Sequence, residues 1–128
     1  MIVGIGTDII DTRRIEKVIN KFGNKFKNRC FSKDEIKKSE KRLNTINSYA
    51  KRYAAKEACS KALGTGLARG IYWKDIEVSN DKFGKPLIQL HNNALKRLNN
   101  ITEKKCNIEI SLTDEKNYAI ANVIIFEL

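Results

Sequence analysis

The chain has 128 residues, 41% of them hydrophobic, and a formal net charge of +10. That length and composition fit one domain with a core of its own, so a single domain over 1–128 is expected. No run of eighteen apolar residues exists, which excludes a membrane-spanning helix, and the first residues lack a signal-peptide layout, so a cytoplasmic location is expected.

Cys30, Cys59 and Cys106 are odd in number and widely spaced, with no C-x-x-C pair, and read as thiols of a reducing compartment. The positive charge attracts anions without saying which. Nucleic acid, an acidic protein, a polyphosphate and an anionic membrane all fit it, as does a Lys-rich surface with no partner.

Met1–Ile10 reads as a strand. Ile2, Gly4, Gly6 and Asp8 share one side; Val3, Ile5, Thr7 and Ile9 share the other, and the second set is apolar enough to face a core. Glycine inside a strand marks close approach by another backbone or a ligand, which puts Asp8 at the strand end beside something packed on Gly4 and Gly6. Thr12–Phe22 reads as a helix capped by Thr12, striped with Ile15, Val18, Ile19 and Phe22, and stopped by Gly23. Arg13, Arg14, Lys17 and Lys21 lie off that stripe, the last three on one basic face.

Ser32-Lys33-Asp34-Glu35 is a capping box that opens a second helix to about Lys41. After a connection over Leu43–Ser48, a third helix runs from about Tyr49 to Leu63, small-sided through Ala50, Ala54, Ala55, Ala58 and Ala62. A Gly-rich loop follows. Lys74–Ser79 and Leu87–His91 form a hairpin around Asp81–Pro86, Asn93–Leu98 is a short helix, and Asn107–Leu112 and Tyr118–Phe126 are the last strands. The expected fold class is α+β, with a mainly antiparallel sheet packed against a long helix.

Two carboxylates stand out. Glu57 lies one turn before Lys61 on the alanine-rich helix, a spacing that is also the commonest surface ion pair. Asp8 and Glu57 come from different elements and together suffice for one hard cation, because Mg²⁺ takes only one or two carboxylates when a substrate supplies phosphate oxygens. The Gly64-Thr65-Gly66 and Gly84-Lys85-Pro86 turns could offer N–H groups to phosphate; the first could equally be a helix cap and the second a plain hairpin turn. There is no P-loop. His91, the only histidine, reads as incidental, and no histidine triad or zinc site is possible.

Four segments, in order, resemble the holo-acyl-carrier-protein synthases of the 4′-phosphopantetheinyl transferase family. They are Gly4-Ile5-Gly6-Thr7-Asp8-Ile9, the long run from Arg52 to Gly66 built on Ala54-Ala55-Lys56-Glu57-Ala58, Gly84-Lys85-Pro86, and Ser111–Asp114 followed by Tyr118-Ala119-Ile120-Ala121. The resemblance spans nearly the whole chain. It implies an α+β homotrimer with active sites between subunits, and transfer of 4′-phosphopantetheine from coenzyme A to a serine of acidic apo-acyl carrier protein in fatty acid biosynthesis, with release of 3′,5′-ADP.

It further implies that Asp8 and Glu57 hold Mg²⁺, with Mn²⁺ as an alternative, and that Glu57 and Lys61 act in the chemistry. Arg52, Lys61, Gly64, Gly84, Lys85, Pro86 and Thr113 would contact coenzyme A. Arg13, Arg14, Lys17 and Lys21 would receive the carrier protein. Many relatives have histidine where this chain has Asp114, although some carry Thr-Asp as here, so the nucleotide contact of that histidine is not carried over. Lys21 replaces a frequent arginine and lacks its bidentate fork. The serine proton goes to Glu57 or to a water on the cation, with the water favoured because a carboxylate committed to Mg²⁺ is a weak base. A basic nucleic-acid-binding module is the competing reading; it requires aromatic residues interleaved with Lys and Arg on a sheet face, and Tyr72, Trp73 and Phe83 are scattered instead. No nucleic-acid partner is expected.

Overall fold

The computed structural model describes residues 1–128. Strand β1 (Ile2–Asp11) leads into α1 (Thr12–Phe22), α2 (Asn24–Cys30), α3 (Lys33–Glu40) and α4 (Thr45–Ala62). A 3₁₀ turn (Trp73–Asp75) precedes β2 (Ile76–Asn80) and β3 (Pro86–Leu90); α5 (Asn92–Ile101), β4 (Cys106–Glu115) and β5 (Tyr118–Glu127) complete the chain. The strands form an antiparallel sheet in the order β1-β5-β4 and a separate β2-β3 hairpin. The α+β class therefore holds, with the strands divided between two sheets. No helix is long and apolar enough to cross a membrane.

Helix α4 lies between the sheet and the hairpin, and its alanines set how near it comes. Ala50, Ala54, Ala55, Ala58 and Ala62 are buried against a sheet face made of Ala119, Ala121, Val123 and Ile125. Gly4 and Gly6 complete that face. A Cβ on Gly6 would stand 1.8 Å from the carbonyl oxygen of Ala58, and one on Gly4 would stand 1.9 Å from that of Ala62. The expected close approach is real, and the partner is helix backbone.

This contact reverses the expected facing of β1. The glycine side points to the core, and Ile5, Thr7 and Ile9 point outward; Val3, at the register shift between Ile2 and Gly4, still packs against the core. Ile5 is 67% and Ile9 60% exposed. Periodicity places residues on two faces but does not say which is buried; here closeness to a helix outweighs apolarity. Across the sheet, Ile5 pairs with Ile124 and Ile9 with Ile120, so the outward face is an apolar band, interrupted at its middle by the hydrogen-bonded Thr7 and Asn122.

Three further differences have local causes. Asp11, not Thr12, caps α1: its carboxylate accepts from the N–H of Arg13 at 2.9 Å and pairs with the Arg13 guanidinium at 2.6 Å. That pairing holds the Asp11 carboxyl at about 2. Helix α2 has no sequence stripe or polar cap and was not expected; Gly23, with φ 55°, ends α1 and turns directly into it. Helix α4 begins at Thr45, four residues before the expected Tyr49, because Asn44 caps it through the Asn47 N–H.

The capping box before α3 has a second use. Glu35 accepts from the N–H of Ser32 at 2.7 Å, from the N–H of Val78 at 3.0 Å and from Lys56 Nζ at 2.9 Å. Lys56 also donates to the carbonyls of Trp73 and Ile76. Both side chains are buried, and every donor of the ammonium is used. Burial pushes the Lys56 ammonium down while the Glu35 charge pulls it back up. The pair ties α3, α4 and β2 together.

Gly6→Ala tests the strand–helix contact. The added carbon meets backbone, which cannot rotate away, so about 2–3 kcal/mol of stability should be lost. A thermal melt should show the midpoint falling on the order of 10 °C.

Candidate active site

The step between strand and helix explains where Asp8 lands. Two residues of β1 advance about 6.7 Å, close to the roughly 6 Å that four residues of α4 advance. Gly4 faces Ala62 and Gly6 faces Ala58, so the next residue on that face, Asp8, falls a helical turn earlier, level with Ala54; the side chain of Glu57 leans back toward the helix N-terminus and so toward Asp8, whose charge it feels. Lys61 Nζ lies 3.1 Å from Asp8 Oδ1 and 3.1 Å from the Thr7 carbonyl oxygen. The helical spacing suggested a Glu57–Lys61 ion pair; the lysine instead bonds across to the strand.

Glu57 is held above the usual carboxylate range, first by burial and then by the nearby Asp8 charge, with Lys61 and Arg14 acting against the shift. Tyr53 feels Glu57 and Asp8 as well, and burial pushes its phenol up to about 12. It stacks on Trp73 with ring centroids 4.3 Å apart, which makes an apolar wall for the acids. Two carboxylates that repel each other, one of them in a poorly solvated setting, suit a single hard cation completed by oxygen ligands from water or substrate. Asp8 and Glu57 thus fit Mg²⁺ or Mn²⁺ by donor type and mutual charge.

Arg14 on α1 is near enough to Glu57 to act on it electrostatically, so the basic face of α1 borders this cluster. Lys17 and Lys21 are exposed farther along the helix, Lys21 over the Phe22 ring. Arg13 is committed to Asp11.

A second feature lies on the other side of α4. A cleft of about 710 Å³ is lined by Lys41, Arg42, Lys51, Arg52, Gly84 and Pro86, with Asp114 as its only carboxylate. It sits at the N-terminal end of α4, where the helix dipole also favours anions. Arg52 is 5% exposed and makes no ion pair. Its guanidinium donates to Ser48 Oγ at 2.6 Å and Asn80 Oδ1 at 3.3 Å, while Nε has no partner. Burial lowers its pKa, the Glu35 charge acts against that without pairing to it, and Arg42 adds to the lowering. Asp114 is already engaged by Asn47 and Lys51. A buried arginine without an acid, in a cleft rich in cations, is arranged for an external anion.

The two glycine turns do not supply that anion's donors. The N–H groups of Gly64, Thr65 and Gly66 return to the carbonyls of Lys61 and Ser60, closing α4. Those of Gly84 and Lys85 go to Asp81. Both turns are the conformational devices that their glycines allow, at φ 84° and 88°. Lys85 Nζ pairs with Glu109. Thr113 is on the outward face of β4, opposite Ile120 and outside the Arg52 cleft. His91 bonds Glu77 at 3.1 Å and belongs to neither cluster. Lys41, Arg42 and Lys51 were missed in the sequence because they look like ordinary surface charges; only the cleft gathers them.

Comparison with known proteins now decides the family. The model of the 4′-phosphopantetheinyl transferase superfamily matches residues 4–123. The chain is 54% identical over 127 residues to a holo-[acyl-carrier-protein] synthase of Rhizobium meliloti (strain 1021), covering 98% of this chain and 91% of the relative. The chain belongs to the 4′-phosphopantetheinyl transferase superfamily. Among solved structures it resembles the holo-[acyl-carrier-protein] synthase of Neisseria meningitidis, with a TM-score of 0.87 and 33% identity over 99% of this chain and 100% of that one. The Helicobacter pylori synthase in complex with coenzyme A gives a TM-score of 0.83 and 32% identity over 95% and 99%. Asp8, Glu57, Lys61 and the Arg52 cleft all lie within the stretch that matches the superfamily.

The unpaired guanidinium gives a direct test. Pyrophosphate should raise the melting temperature of the wild type by a few degrees through ligand linkage. Arg52→Met should melt no lower than the wild type in plain buffer and should lose most of that response.

Proposed function

We propose that this chain transfers 4′-phosphopantetheine from coenzyme A to a serine of apo-acyl carrier protein, releasing 3′,5′-ADP, as a holo-acyl-carrier-protein synthase of fatty acid biosynthesis. The observation that carries the reading is the pairing of an acidic cluster, Asp8 and Glu57 with Lys61, with a cationic cleft around an unpaired Arg52, in a chain 54% identical to a synthase of that name. Cleft and cluster match the two ends of a nucleotide diphosphate: one needs cations, the other a metal-binding acid pair.

In the reaction the serine oxygen bonds to the β-phosphorus of coenzyme A while its proton passes to water or to Glu57, and the bond from that phosphorus to the bridging oxygen breaks. The electron pair leaves with 3′,5′-ADP. A divalent cation held by Asp8 and Glu57 would neutralise charge on the diphosphate oxygens. Lys61, half-exposed on the same cluster, would meet the charge growing on the leaving phosphate. Arg52, Lys41, Arg42 and Lys51 would hold the remaining phosphate of the nucleotide. Arg14, Lys17 and Lys21 offer the acidic carrier protein a basic landing face beside Glu57, and the steering that a +10 chain gives. Three free thiols fit the cytoplasm, where both substrates are soluble.

One subunit would not complete this site. Arg52 and Lys61 are nine residues apart on α4, about two and a half turns, so they leave the helix on opposite sides. Arg52 points to β2 and Lys61 to β1. A single coenzyme A would reach both features only if the cleft of one subunit faced the acids of another. The outward apolar band of Ile5, Ile9, Ile120 and Ile124 gives copies a surface to bury. A homotrimer with active sites between subunits accounts for both facts.

The activity is tested by mixing the protein with coenzyme A, Mg²⁺ and apo-acyl carrier protein and reading the carrier's mass. A phosphopantetheine increment is expected. Asp8→Ala and Glu57→Ala should each lower turnover on the order of 10²–10³-fold with unchanged folding by circular dichroism. Near-normal turnover in either variant would remove the metal assignment. Ile124→Lys should convert trimer to monomer in light scattering and lose activity with the assembly. An active monomer would overturn the shared site.

A further inference from the structure

The two motif lysines differ sharply in burial. Lys56 is fully buried and its three donors are fixed by Glu35 and two carbonyls. Lys61 is 51% exposed, touches only Asp8 Oδ1 and the Thr7 carbonyl, and keeps a donor for other partners. Asp8 itself is only 16% exposed, so few directions of approach to its oxygens remain. The ammonium takes one of them.

A hard cation shared by Asp8 and Glu57 needs the same carboxylate. Two positive charges within a few ångströms repel, and the flexible, half-exposed lysine is the one free to leave. Arg14, the other cation acting on Glu57, belongs to a separate helix, and no ion pair to either acid holds it.

We propose that Lys61 is the built-in counter-ion of the Asp8–Glu57 pair and exchanges with the divalent cation, so that cation entry releases the ammonium toward the diphosphate of coenzyme A. This rests on the cation site proposed above. The exchange gives Lys61 two successive roles. It first offsets the repulsion of two acids packed close by the glycine contact. It then becomes available as a phosphate ligand when the cation has taken Asp8. Cation and coenzyme A therefore bind with positive coupling, because each favours the arrangement in which Lys61 has left Asp8.

The test is calorimetric titration of Mn²⁺ into the full-length protein without nucleotide, a readout independent of turnover. Lys61→Met and, as a second variant, Lys61→Gln should bind Mn²⁺ about three- to tenfold more tightly than the wild type, from removal of one nearby charge. Lys61→Arg keeps the charge and should bind no tighter than the wild type. Asp8→Asn should lose most of the binding. Equal or weaker affinity in both neutral variants, beside clear wild-type binding that Asp8→Asn abolishes, would overturn the exchange and leave the cation site standing. Absence of Mn²⁺ binding in the wild type and neutral variants alike would overturn the cation site and the exchange with it.

Discussion

The fold turns on one contact: the bare backbone of Gly4 and Gly6 against the carbonyl oxygens of Ala62 and Ala58. It joins the first strand to the central helix at a distance that only glycine permits. Everything near the proposed chemistry follows from it. It sends the glycine side of β1 inward and Asp8 with it. The matched advance of two strand residues and four helix residues then carries the register from Gly4 and Gly6 to Asp8. The acids do not find each other through their own attraction, since like charges repel. Backbone packing, supported by Ala119, Ala121 and the helix alanines, holds them together against that repulsion, and burial first, with the Asp8 charge second, raises the pKa of Glu57.

The same contact has a cost on the other face. A strand has two sides, and spending the glycine side on the core leaves Ile5 and Ile9 in solvent. Strand β5 does likewise: Ala121 and Val123 turn inward while Ile120 and Ile124 turn out. An apolar band on a highly charged chain is unfavourable for an isolated subunit. Self-association would relieve it. The arrangement of α4, with Arg52 and Lys61 on opposite sides, makes the same association useful, since it lets one subunit's cleft face another's acids. The close strand–helix contact within the subunit and the apolar surface that the proposed assembly would cover are thus two results of one choice of strand face.

Much of this was legible in sequence, and the reasons are local. The capping box at Ser32 and Glu35, the stop at Gly23 and the hairpin around Gly84 are written in short-range chemistry, and the structure carries each. Asp8 and Glu57 were legible as a pair because two glycines and five alanines announced a close strand–helix approach. The burial side of β1 was not, since hydrophobicity alone assigned the isoleucines to the core. Helix α2 was hidden for lack of a periodic stripe; its place is set by Phe26, which packs edge-on to Phe31 and against Tyr53. The Arg52 cleft was hidden for another reason. Arg52 alone was marked in the sequence, by the family resemblance; Lys41, Arg42 and Lys51 look like solvated charges until β2 and the Gly84 turn close over them.

The motif's charged residues divide by where α4 aims them. Lys56 faces α3 and β2, where Glu35 and two carbonyls exhaust its donors. Glu57 and Lys61 face β1, where the acids outnumber the fixed cations. Arg52 faces the cleft, where cations outnumber acids. One helix thus carries a satisfied pair that fixes its position and two unsatisfied features of opposite sign. The Lys56–Glu35 pair matters to function through that difference. With Glu35 also accepting from Val78, it pins β2, and so Asn80, the partner of Arg52. The buried pair thereby sets the wall of the cleft, while Lys61, half-exposed on the other side of the helix, has no part in holding it.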